Sequence, residues 1–279
     1  MSSSAPGRVR EVTSFANPLI KDIKGLALKK NRDEARVFLA EGLKLVIEAL
    51  DQGWTVKTLV LAKTALGNPL AEKTAARVIA AGGDVLEVPE KLMAAITRRD
   101  NPQLVAAVIS QRLSSLSSFR PSGNDVYVAL DRVRDPGNLG TIIRTADAVG
   151  AKGVILVGDT TDPFSMETVR ATMGSVFAMP LARAGEADLI GWMKAFPGLS
   201  AGTHLKGAVD YRKPDYAGKP VLLVMGNEQQ GLTEALAGAC KALVRIPQAG
   251  KADSLNLAVA TAVMLYEIRR SALGLEDRP

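Results

Sequence analysis

Apolar and polar positions along the chain fall into short blocks that switch between strand and helix periods. Residues 37–40 form a compact apolar run, which predicts a strand. Leu43, Val46, Ile47 and Leu50 then recur at helical spacing, and Gly53 closes that helix. Residues 58–62 predict a second strand, 71–81 a helix halted by Gly82-Gly83, and 84–88 and 104–109 two more strands. The stretch LSSLSSFRPSGND (113–125) is rich in Ser, Pro and Gly, keeps no period over most of its length, and reads as a linker. Beyond it, 126–130, 154–157 and 221–225 are runs of Val, Ile and Leu that suit strands buried on both faces of a parallel sheet. Segments 139–149, 186–196, 232–240 and 255–270 read as the helices between and after them. The expected architecture is α/β: a small domain over 1–112, a linker over 113–125, and a mostly parallel α/β domain over 126–279. In such sheets ligands bind beyond the carboxyl ends of the strands, so the turns there are where chemistry is sought.

A chain of 279 residues is long enough for two domains. Its apolar content excludes a disordered polymer, and no apolar run approaches the roughly 20 residues that cross a bilayer. The opening MSSSAPGRVREV has no apolar core of a secretory signal, so cytoplasmic residence is the expectation. The single cysteine, Cys240, excludes a disulfide framework within the chain, and with one histidine, His204, no His-rich or multi-cysteine metal centre is expected. Cys240 reads as a small packing residue and His204 as a structural one.

The net charge of +6 lies entirely within residues 1–121; residues 122–279 balance to zero. Lys21, Lys24, Lys29, Lys30, Arg32 and Arg36 crowd the early stretch. A basic face favours a polyanion, because bound phosphates release counterions. A solvated helix face accounts for the charge equally well. Aromatic residues are only 4% of the chain, which argues against a base-stacking platform for a single strand.

Three turns carry candidate chemistry. After strand 126–130 comes DRVRDPGNLGTIIRTAD, with turn chemistry at Asp135-Pro136-Gly137-Asn138 and then Gly140 and Arg144. A helix start with an Asn and a cation is a site for a polar or anionic ligand, or simply a capped surface helix. After strand 221–225 comes GNEQQGLTEAL; Gly226 and Gly231 mimic a phosphate loop, but Leu232-Thr233 stand where its Lys-Ser/Thr is required. No G-x-G-x-x-G opens a helix after a strand, so a dinucleotide site is not expected either. Glu228 remains, a carboxylate between two glycines, readable as a helix-capping acid. The third turn is IPQAGKADSLN (246–256): a strand ends at Ile246-Pro247, and a mostly buried helix carrying Val259, Val263 and Tyr266 starts near Ser254, with Asp253 or Ser254 as its cap and Asn256 in its first turn.

In order and wording these three turns resemble the motifs of the SpoU (TrmH-like) branch of the SPOUT RNA methyltransferases. N-x-G-x-x-x-R is met by Asn138, Gly140 and Arg144; G-x-E-x-x-G by Gly226, Glu228 and Gly231; I-P-x-x-G…S-L-N by Ile246, Pro247, Gly250, Ser254, Leu255 and Asn256. The N-terminal stretch 17–50, through Asn17-Pro18, the basic helix, Arg36, Phe38 and Glu41-Gly42, is similar to the L30e-like RNA-binding domain of rRNA methyltransferases in that family. The resemblance implies a C-terminal α/β-knot domain with a deep trefoil knot, a homodimer built through it, and methyl transfer from S-adenosyl-L-methionine to a ribose 2′-hydroxyl of RNA, 23S rRNA in particular, without metal. It implies catalytic roles for Arg144, Asn138, Glu228, Ser254 and Asn256, and cofactor contacts, mainly through backbone, at Thr203, Gly226, Ile246 and Leu255. Glu228 is expected to fix its loop or pair with Arg144. A guanidinium is a poor general base, so two accounts of Arg144 stand. One is a buried guanidinium beside an RNA phosphate that accepts the proton transiently. The other, favoured, is a guanidinium that positions the phosphate and stabilises a developing alkoxide while another group or water takes the proton. A tRNA methyltransferase of the same fold and a non-catalytic RNA-binding or ribosome-assembly protein are the alternatives.

Overall fold

The computed structural model describes residues 6–204, 208–251 and 253–274; parts of the opening MSSSAPGRVREV and of the C-terminal LGLEDRP lie outside the described residues. The chain packs as two compact units, residues 1–111 with 162–177 and residues 112–161 with 178–279.

The first unit is built on a mixed sheet of β1 (Val9–Glu11), β2 (Val37–Glu41), β3 (Val56–Ala62), β4 (Asp84–Val88) and β5 (Val105–Ser110), in the order β1-β4-β3-β5-β2. The β1-β4-β3 side is parallel and the β3-β5-β2 side antiparallel. Its helices are α1 (Pro18–Gly25), α2 (Lys29–Ala35), α3 (Leu43–Asp51), α4 (Pro69–Ala80) and α5 (Glu90–Thr97). Asn17 and Asn68 cap α1 and α4 by accepting first-turn backbone N–H bonds, each followed by a proline at the first helical position. Ile20 and Ile23 of α1 and Leu92, Met93 and Ile96 of α5 close one core over Leu39, Val60, Leu86 and Val88.

The second unit holds a seven-stranded, all-parallel sheet. Its strands are β6 (Val126–Asp131), β7 (Gly153–Val157), β8 (Leu181–Ala184), β9 (Leu199–Thr203), β10 (Val209–Asp210), β11 (Val221–Met225) and β12 (Ala242–Arg245), in the order β10-β12-β9-β11-β6-β7-β8. Every residue of β6, β7 and β11 is buried, which explains their unbroken apolar runs. The helices of this unit are α6 (Pro136–Ala148), α9 (Glu186–Lys194), α10 (Glu234–Ala239) and α11 (Leu257–Arg269); α7 (Met166–Thr172) and α8 (Ser175–Ala178) lie in and beside the excursion 162–177. The stretch 113–125 is not loose: Phe119 is buried, lies 5.2 Å from the Tyr127 ring, and covers Gly153 so closely that a Cβ there would sit 2.6 Å from its ring.

Residues 162–177 pack within the first unit. Arg32 is buried; its Nε and Nη2 donate to Asp162 Oδ2 at 2.8 and 2.6 Å, and its Nη1 donates to the carbonyls of Leu26 and Ala27. Arg170 likewise pairs with buried Glu41, and Phe38 packs on Phe164 and Phe177. Arg32 therefore leaves the basic surface on which the sequence reading placed it, because its charge neutralises a buried carboxylate. Lys21, Lys29 and Lys30 stay exposed. No described helix is long and apolar enough to cross a membrane, and the described residues hold no group of three or more His, Cys, Asp or Glu that could bind a metal.

Candidate active site

The site forms where β6 and β11, neighbours in the sheet, release their following loops on the same edge. Strand β6 ends on Asp131, which is buried. Asp135 then caps α6, its Oδ1 accepting the Asn138 N–H at 2.6 Å, and Pro136 occupies the first helical position. Asn138 thereby stands in the first turn of α6, which starts at Pro136, three residues ahead of the 139–149 read from the sequence, because Asp135 takes the cap. Arg144 follows on the same helix, exposed, and its side chain forms no hydrogen bond or ion pair with the described residues.

After β11 the chain turns at Gly226. A Cβ there would lie 2.3 Å from Gly231 C and Leu232 N, so only glycine lets the loop close. Asn227 and Gly231 exchange backbone hydrogen bonds at 3.1 and 2.9 Å, and Gly231 takes φ +69°. This closure presents the Glu228 carboxylate to the β6–α6 loop. It accepts from the backbone N–H of Arg134 and of Asp135 at 3.3 Å and, at 3.5 Å, from Asn138 Nδ2. Of the two roles expected for Glu228, loop fixation is the one formed; it caps amides ahead of α6 and makes no ion pair with Arg144.

The third segment differs from its sequence reading. Helix α11 starts at Leu257, and Asn256 is its cap rather than a first-turn residue: Asn256 Oδ1 accepts from the N–H groups of Ala258 and Val259. Asp253 and Ser254, read as candidate caps, precede the helix and are exposed, as is Leu255. The cap falls to Asn256 because its amide serves two partners at once: Nδ2 donates to Asn138 Oδ1 at 2.9 Å. Helix α11 is also less buried than expected. Thr261, Met264, Leu265 and Ile268 face the core, while Val259 and Tyr266 are 51% and 54% exposed.

The structure thus joins Asn138, Glu228 and Asn256 in one hydrogen-bonded cluster and leaves Arg144 and Ser254 outside it. The other expected contacts lie along the strand ends. Thr203 closes β9 and pairs in register with Val244 of β12, while Gly202 pairs with Val224 of β11. Thr203 ends β9, and Gly226 and Ile246 directly follow β11 and β12, so the three lie at the carboxyl ends of adjacent parallel strands. An adenosine-bearing sulfonium compound fits such an edge: backbone groups of the strand-end loops can meet its polar edges, and half-buried Ile246 and exposed Leu255 can meet its base.

Two residues carry the geometry without having been singled out from sequence. Arg132 takes φ +51° and donates Nε and Nη2 to Asp131 at 2.9 and 2.8 Å. That hydrogen bond raises its pKa further, so it stays charged. Asn227 Nδ2 donates to the Arg132 carbonyl at 2.8 Å. The only signal was local, an Asp-Arg pair where a buried strand ends. Cys240 is partly buried and packs against the core of the second unit, its thiol pushed up to about 12 by burial, and His204 continues the β9–β12 pairing through its backbone N–H.

Residues 125–266 match the SpoU rRNA Methylase family, and residues 17–107 match the MRM3-like substrate binding domain. A 23S rRNA (guanosine(2553)-2′-O)-methyltransferase of Bacillus subtilis is 34% identical over 94% of this chain and 100% of its own. A 23S rRNA (uridine(2479)-2′-O)-methyltransferase of Streptomyces viridochromogenes is 32% identical over 89% and 88%. The crystal structure of an AdoMet-bound rRNA methyltransferase from Sinorhizobium meliloti is 61% identical, covers 95% of this chain and 99% of its own, and superposes with a TM-score of 0.91. Three motif loops gathered at the edge of a parallel sheet, and likeness along nearly the whole chain, lead to one conclusion: the chain belongs to the SpoU rRNA methylase family.

Proposed function

We propose that this protein transfers the methyl group of S-adenosylmethionine to a ribose 2′-hydroxyl of 23S rRNA in the cytoplasm, working as a homodimer through its second unit. The observation that carries this reading is the joining of all three motif loops by Asn138, Glu228 and Asn256, residues far apart in sequence. When bound, the cofactor supplies an electrophilic methyl on a sulfonium. Thr203, Gly226, Ile246 and Leu255 would hold it at the strand ends. The chain's task is to bring a sugar oxygen to that point and disperse the charge that grows on it.

Asn138 and Asn256 fix each other's amide orientation, and Asn138 is within reach of Glu228. They would orient the ribose and keep the first turn of α6 in register with the cofactor loop. Ser254, exposed just before α11, can donate or accept one further hydrogen bond to the sugar. The exposed Arg144 guanidinium would grip the adjoining phosphate and stabilise the developing alkoxide; its exposure supports this over a buried proton acceptor. Exposed Val259 and Tyr266 on α11 support the homodimer reading, and the exposed lysines of α1 and α2 support RNA capture.

Calorimetry with S-adenosylmethionine, followed by mapping of 2′-O-methyl marks across RNAs from cells with and without the protein, tests this. Cofactor binding and the loss of one 23S rRNA mark are expected. No binding at millimolar cofactor favours a non-catalytic RNA-binding protein, and a lost tRNA mark favours a tRNA enzyme of the same fold.

A further inference from the structure

The β11–α10 loop holds itself closed through Asn227 and Gly231, but that does not fix where it sits against the β6–α6 loop. Glu228 makes one set of links, to amides at 3.3 Å. Arg132 makes a shorter, charged set. Its guanidinium is anchored on buried Asp131 through Nε and Nη2; Nη2 also donates to the Gly231 carbonyl at 3.2 Å, and Nη1 donates to Gln230 Oε1 at 2.7 Å. In return, Asn227 Nδ2 donates to the Arg132 carbonyl at 2.8 Å. The left-handed backbone at Arg132, φ +51°, lets the side chain fold onto its neighbour's carboxylate while its carbonyl meets the other loop. Buried Asp131 needs a cation, and a planar fork can satisfy that carboxylate and two further acceptors together. A lysine at this position could pair with Asp131 but could not span all three groups.

We propose that Arg132 is a positioning residue: it locks the cofactor loop 226–231 against the loop that carries Asn138, and so sets cofactor affinity without touching the reacting atoms. This rests on the methyltransferase reading above. Gln230 is the outer half of the same clamp and is exposed, so its loss leaves the core intact.

The full chain, wild type, Arg132→Lys, Gln230→Ala and the double variant, tests this by calorimetry with S-adenosylmethionine, by steady-state kinetics, and by amide exchange at Asn227 and Gly231 without cofactor. Arg132→Lys is expected to weaken cofactor binding about 10-fold, raise the cofactor KM to match, and leave kcat at saturation within about twofold. Gln230→Ala is expected to cost about threefold alone and almost nothing more on top of Arg132→Lys, since both act through one clamp. Exchange at both amides should quicken in each variant. A fall in kcat with KM unchanged would overturn the proposal, as would additive losses or unchanged exchange in Gln230→Ala. If wild type binds no cofactor, the methyltransferase reading fails, and the exchange data still decide whether the clamp exists.

Discussion

Asn256 Nδ2 donates to Asn138 Oδ1 at 2.9 Å across 118 residues of sequence, and the same Asn256 caps α11 through its oxygen. One amide thus starts the last helix and ties it to the first motif. Asn256→Ser keeps a capping oxygen and loses the link; Asn256→Ala loses both. The alanine variant is expected to lose about 1 kcal/mol of stability, with the serine variant close to wild type. Both are expected to lose about 10-fold or more in methyl transfer. Thermal melts beside initial rates separate the two roles, and a fully active serine variant would show that the link is dispensable.

Arg144 stands outside that cluster, exposed. Arg144→Lys keeps the charge but not the bidentate fork. Both it and Arg144→Ala are expected to cut methyl transfer at least about 100-fold, a loss in the range seen when an oxyanion-stabilising donor is removed. Cofactor affinity by calorimetry should stay within a few-fold. Full activity in the lysine variant would rule out a guanidinium role.

The closure at Gly226 leaves no room for a side chain: a Cβ would meet backbone atoms of Gly231 and Leu232 at 2.3 Å, and backbone cannot swing aside. Gly226→Ala is therefore expected to cost about 1–3 kcal/mol and to abolish cofactor binding, as read by denaturant unfolding and calorimetry. Retained affinity would mean that the loop closes differently.

Burial holds the Cys240 thiol up to about 12. At pH 8 it should react far more slowly with a disulfide reagent than after unfolding in guanidinium. The linkage sign follows. The unfolded thiol ionises near about 8.5 and the folded one does not, so this site costs no stability below that pH and progressively lowers it as pH rises toward 12. Cys240→Ala should flatten that part of the stability profile; rapid labelling of the folded protein would contradict the packing role.

Much of this was legible in the chain because two signals are local. Fully buried parallel strands read as unbroken apolar runs, so 221–225 coincides with β11 and 126–130 with all but the last residue of β6. Turn and cap residues announce loops, which located all three motifs. The strands β1 and β8 have only three or four residues and carry no period to detect. The start of α11 was misplaced by two residues because Asp253, Ser254 and Asn256 are all good caps by type; the choice depended on Asn138, a partner 118 residues away. Arg32 and Arg132 were opaque for the same reason. Their roles are set by buried carboxylates that only the fold brings to them.

The most direct measurement uses methyl-labelled S-adenosylmethionine, the purified protein and unmodified 23S rRNA, with the labelled nucleoside identified after complete digestion. Label in a single 2′-O-methylated nucleoside, absent with Arg144→Ala, is the expected result. Label on a base, or no transfer although the cofactor binds, would contradict a pocket in which Asn138, Glu228 and Asn256 present a sugar oxygen to a sulfonium methyl.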